Sequence, residues 1–109
     1  MITWEQIIEL AEGLPEVQVV TGEKLVIRRG TRDLAWQRPL SKKDMKALGD
    51  SAPTGEVMAV HVADLIEKEA WLLAEPRALF TSPHFANYPA VLVDLELASI
   101  ELVRELLDQ

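Results

Sequence analysis

The chain is predicted to fold as an α+β domain, an antiparallel sheet packed with helices, and three observations carry that expectation. Hydrogen-bonding side chains stand just ahead of apolar stripes at helical spacing, at Thr3, Ser41, Asp64 and Ser99. Short runs of β-branched and aliphatic residues lie between those helix starts, separated by turns that carry Gly or Pro. Three of these runs follow one another directly, which is the pattern of an antiparallel meander.

Taken in order, Thr3 and Gln6 form a capping box, and Ile2 is placed to staple onto Ile7. Trp4, Ile7, Ile8, Ala11 and Leu14 recur at helical spacing, so a helix is expected over residues 3–12 with Gly13 as its stop. Glu5, Glu9 and Glu12 fall on another stripe, which faces water. After Pro15 the period shortens: VQVV at 17–20, KLVIR at 24–28 and DLAWQR at 33–38 read as the meander, turned at TGE and at Gly30. Pro39 ends the third strand, and Ser41 with Asp44 opens a short helix that stops near Gly49. Lys42 and Lys43 sit in its first turn, where the helix dipole disfavours a cation by roughly 0.3–1 kcal/mol, so helix stability does not account for them. VMAVHV at 57–62 alternates as a fourth strand. Asp64 and Glu67 start a helix near 64–74 that stops before Pro76. ALFT at 78–81 and AVLVDL at 90–95 supply two more strands, and Ser99 opens a closing helix with Ile100, Val103, Leu106 and Leu107 on one face. The expected order is α-β-β-β-α-β-α-β-β-α, in a single domain spanning 1–109.

At 109 residues the chain has the length of one domain, and 49% hydrophobic with 27% charged residues is an ordinary globular composition. No apolar run approaches the roughly 20 residues of a membrane helix, so no membrane partner is expected. The opening MITWEQII lacks the basic and continuously apolar regions of a secretory signal, which makes the cytoplasm the expected location. Cysteine is absent, and disulfides, thiolate metal sites and cysteine nucleophiles go with it. A formal net charge of −7 argues against nonspecific nucleic-acid binding by the molecule as a whole. That average conceals an asymmetry. Lys24, Arg28, Arg29, Arg32, Arg38, Lys42, Lys43 and Lys46 stand against only Asp33 and Asp44, so the segment 24–46 is strongly basic while the remainder is strongly acidic.

Three stretches resemble the MmcQ/YjbR family together: LAWQRPLSKKDMKALG, DLIEKEAWLL, and above all ALFTSPHFANYPAVLVDL ahead of a Leu-rich closing helix. The family runs a Phe-bearing strand, a Thr-x-Pro-His segment, a turn ending in Tyr-Pro and a Val-Leu-Val strand in this order. The resemblance spans nearly the whole chain and implies the CyaY-like fold, and with it DNA binding through a double-wing shape. Frataxin, which shares that fold, carries an acidic first helix used for iron; the acidic stripe here reads most simply as a solvated face. Two departures stand out. Asn87 replaces a Gly before Tyr-Pro, which is tolerable if the turn needs positive φ, and the chain ends at Gln109 where many relatives continue the last helix.

The domain is therefore read as a non-enzymatic binding module, with no cofactor and no metal. Arg28, Arg29 and Arg32 at a hairpin tip, Arg38, and Lys42, Lys43 and Lys46 on the next helix are the candidate DNA contacts. A second reading makes the basic edge a docking surface for another protein or a second copy. A third places a small-molecule pocket around His84, with Trp36 and Tyr88 as further ligand contacts. Trp36 alternates with Leu34, which puts it on the core side of its strand. His61 and His84 are the only imidazoles, and their spacing matches no metal signature. Ser82 and His84 lack a nucleophile elbow, and Pro83, Asn87 and Pro89 account for much of TSPHFANYP as turn construction.

Overall fold

A computed structural model describes residues 1–109. It contains α1 (Trp4–Glu12), β1 (Val17–Val20), β2 (Val26–Arg29), β3 (Arg32–Gln37), α2 (Lys42–Leu48), β4 (Val57–His61), α3 (Leu65–Ala74), β5 (Leu79–Phe80), β6 (Ala90–Asp94) and α4 (Ile100–Leu107). This is the order expected from pattern. The helix starts hold as chemistry: the Thr3 and Ser41 side chains each accept from the backbone three residues on, and Gln6 and Asp44 reach back to the cap. Asp64 and Ser99 cap α3 and α4 from the side chain alone.

All strands join one sheet in the order β1-β2-β3-β4-β6-β5, and every neighbouring pair is antiparallel. β6 thus inserts between β4 and the edge strand β5, so the two most apolar runs, VMAVH and AVLVD, pair along their full lengths. The period of two then separates two cores. Met58, Val60, Val91, Val93 and Leu95 face one side, where Ile7 and Ala11 of α1 and Val103, Leu106 and Leu107 of α4 close over them. Val57, Ala59, Ala90 and Leu92 face the other, with Phe85, Trp36, Leu40 and Phe80.

Gly13 caps α1 as expected, at φ −81, and the left-handed residue of the turn that follows is Glu16, at φ 62. One local expectation is corrected. Asn87 is not among the positive-φ residues, and the turn before Tyr88 needs no glycine-like conformation.

Candidate functional site

The second sheet face is only partly roofed, and what covers it is the TSPHFANYP segment. Pro83–Phe85 forms a 3-10 turn that drops Phe85 onto Val57, Ala59 and Leu92, and leaves His84 and Tyr88 exposed. The turn is tied from below by a residue that pattern reasoning passed over. Lys68 of α3 is 4% exposed, and its Nζ donates to the carbonyl of Phe85 and, at 2.9 Å, to that of Tyr88. Burial holds the amine below its ordinary pKa. Helical spacing was the available signal: Lys68 precedes Trp71 and Leu72, which pack on the main core, by three and four residues, so it shares their inward stripe.

Beside this roof run three adjoining hollows. One of about 430 Å³ lies among Lys24, Trp36, Arg38, His84, Phe85 and Tyr88. Another of about 510 Å³ shares Lys24, Trp36 and Tyr88 as walls and continues to Arg28, Thr31, Arg32, Asp33 and His61. A third of about 250 Å³ shares Arg38 and His84 and reaches Ser41, Lys43 and Asp44. Together they make a groove from the β2–β3 hairpin to the start of α2. From Arg32 to Arg38 along an extended chain this spans roughly 20 Å.

Trp36 reaches the groove because of a β-bulge. Ile27 pairs with Ala35 but Arg28 pairs with Asp33, leaving Leu34 as an extra residue on β3. Leu34 and Ala35 both sit in the main core, and Trp36 falls on the opposite face. The expectation that Trp36 shares a face with Leu34 is thereby corrected: strict alternation fails at the bulge.

The basic residues divide. Lys24, Arg28, Arg32, Arg38 and Lys43 line the groove. Arg29, one residue from Arg28, is turned to the other side, where it donates to the carbonyls of Leu107 at 2.9 Å and Gln109 at 2.5 Å. Lys42 and Lys46 are exposed on α2 but line none of the three hollows. Within the groove Arg28 is paired to Asp33 at 2.7 Å, in an ion pair half exposed on both sides. Arg38 lies 5.2 Å over the Phe85 ring, donates to the Pro39 carbonyl at 2.7 Å and stands 3.6 Å from Asp44. Burial alone would raise the Asp44 pKa, but hydrogen bonding with Ser41 and the Arg38 charge outweigh it, so the carboxyl lies below its usual value. Arg38 is thus largely engaged in building the wall. Lys24, Arg32 and Lys43 have no carboxylate within ion-pair reach.

Two further placements matter. His84 lies edge-on to Phe85 at 5.2 Å and faces solvent between two hollows, not the core. Ser82 Oγ is buried without a hydrogen-bond partner, so His84 does not activate it. His61, weighed from sequence only as a metal ligand, lines the hairpin hollow with its ring edge-on to Tyr88 at 6.2 Å. Its burial, and secondarily the charge of Arg32, hold the imidazole below its ordinary pKa. Parity could have found it, since His61 follows Val57 and Ala59 on the same side of β4. No group of three or more His, Asp or Glu side chains is placed to hold a metal ion.

The whole chain aligns at 39% identity with 85% of an uncharacterised protein of Mycobacterium tuberculosis strain H37Rv. It aligns to the same extent with uncharacterised proteins of the CDC 1551 strain and of Mycobacterium bovis. No family model matches the chain, and no solved structure matches it.

Proposed function

We propose that this chain, which belongs to the family of those mycobacterial proteins, is a non-enzymatic module that binds single-stranded nucleic acid in the groove of the second sheet face. One observation carries the reading: the open cations Lys24, Arg32 and Lys43 alternate with the rings of Trp36, Tyr88 and His84 along a single groove. Phosphates need distributed positive charge and bases need flat apolar faces, and a single strand presents both at each step. A duplex buries its base faces and would leave Trp36 without a role. Five of the eleven Lys and Arg residues of this acidic chain line the groove, while Arg29, Lys42 and Lys46 lie outside it, so positive charge is gathered along this face without being exclusive to it. The resemblance carried by TSPHFANYP to the MmcQ/YjbR family, for which a double-wing shape suggests DNA binding, points toward nucleic acid as well.

Anisotropy of a labelled thymidine oligonucleotide of about eight residues at roughly 50 mM salt tests this, because electrostatic attachment is strongest there. Binding is expected, weakening with salt. Replacing Arg32 and Lys43 together by Gln should lower the logarithmic salt slope by about 1.4, at about 0.7 per phosphate contact for a single strand. No binding at low salt sinks the proposal. A mononucleotide competing as well as the oligomer would replace it with a small-molecule pocket around His84.

A separate observation favours a second reading, a protein-interaction module. Ile66 and Leu73 on the outer side of α3 are 81% and 75% exposed, with acidic neighbours Glu67 and Glu69. A strict monomer by light scattering, together with no captured partner, removes it.

A further inference from the structure

The hairpin hollow differs from the rest of the groove in the polarity of its walls. Lys24, Arg28, Thr31, Arg32 and His61 surround it, and Asp33 is the single carboxylate among the lining residues. Asp33 already accepts from Arg28 Nε at 2.7 Å. The imidazole adds a donor rather than an acceptor. Its Nδ1 is buried without a hydrogen-bond partner, so a proton there would be an unsatisfied buried donor; the neutral ring carries its proton on Nε2 instead. That leaves Nε2–H as the ring's available donor, on a residue that lines the hollow. Second protonation would have to place a proton on the same orphaned Nδ1, beside Arg32, and the ring stays neutral at physiological pH.

We infer that this hollow is a base subsite selective for pyrimidines with a carbonyl at the 4-position, with His61 as its specificity-determining donor. A pyrimidine entering between Trp36 and Tyr88 with its sugar and phosphate toward the adjoining hollow, where Lys24 and Arg38 stand, carries its 4-substituent toward His61 and Arg32, since that atom lies opposite the glycosidic bond. Uracil and thymine offer O4, an acceptor for the donors there. Cytosine offers an amino group, which meets donors with a donor and loses its hydration without replacement. The subsite rests on the groove being the nucleic-acid site, and it deepens that reading by naming the base.

Deoxyuridine and deoxycytidine oligomers of equal length test it, because they share sugar, phosphate and ring size and differ only at the 4-position and the adjoining N3. The native chain should bind the uridine oligomer about tenfold more tightly. His61→Phe, which keeps the ring against Tyr88 and removes the donor, should bring the ratio near one while cytidine binding persists; His61→Leu serves if the Phe variant does not fold. Equal binding of the two oligomers by the native chain, or a preference unchanged in the variant, overturns the inference and leaves the groove reading standing. Failure of both oligomers to bind overturns both.

Discussion

The two faces of the sheet are made from the same strands and do opposite things. On the α1–α4 side, successive inward positions are Met58, Val60, Val91 and Val93, all fully buried. On the other side the central strands stay apolar at Val57, Ala59 and Leu92, but the flanking positions turn aromatic and charged, and a single 3-10 turn replaces a helical layer. The adjacent Arg28 and Arg29 show the contrast within two residues. Arg28 faces the groove, whereas Arg29 serves to bind the carbonyls at the end of α4. In this sheet α1 and α4 close one face and build the main core, and the lightly covered face carries aromatic and charged side chains.

The largest test of this division lies on the closed face. Leu106→Ala removes a fully buried side chain from beneath the sheet and should destabilise the protein by about 2–5 kcal/mol in urea unfolding. Oligonucleotide affinity, measured where the variant remains folded, should be unchanged. An equal loss of affinity would show that the faces are not independent.

A smaller effect in stability but a larger one in binding is expected for Lys68→Met. Each carbonyl that Lys68 engages keeps a second donor, Tyr88 N on Phe85 at 3.0 Å and Ala90 N on Tyr88 at 2.8 Å. The loss should therefore be only about 1 kcal/mol, offset in part by no longer burying an amine. Because the wall of the groove hangs on that tie, oligonucleotide affinity should fall further than stability does. Burial lowers the Lys68 pKa, so just below pH 10.5 the unfolded chain binds the extra proton. Native stability should accordingly rise relative to the Met variant as pH climbs through that window.

The smallest effect is the titration of His61. Its folded pKa lies below 6.5, so the unfolded chain takes up the proton first as pH falls. Stability present above pH 6.5 should diminish as the pH drops toward the folded value, and His61→Phe should abolish that share of the slope. A slope identical in the two proteins would place the imidazole in water and remove the buried Nδ1 from consideration.

Much of the fold was legible because its signals are local. Thr3 with Gln6 and Ser41 with Asp44 announce helix starts within four residues, and VQVV, VMAVHV and AVLVDL announce strands by composition and period. The site was legible in part. His84, Tyr88, Arg28, Arg32, Arg38 and Lys43 were expected and line the groove, while Arg29, Lys42 and Lys46 do not. Trp36 was expected on the side of Leu34, and the bulge turns it to the opposite face, where it packs on the second core and lines the groove. Lys68 and His61 carried only weak signals, one on a helical stripe and one at strand parity, because a charged residue at an inward position is usually read as an interruption.

By itself the sequence determined the elements, their order and the segregation of charge, since capping, periodicity and turn chemistry act over a few neighbouring residues. The tertiary structure alone decided which basic residues share a face and which rings stand beside them. Face depends on register, and one extra residue at Leu34 reverses it for everything that follows on the strand. The Lys68 tie likewise exists only once α3 is laid against the turn at Pro83–Phe85, an encounter across seventeen residues that no local rule encodes.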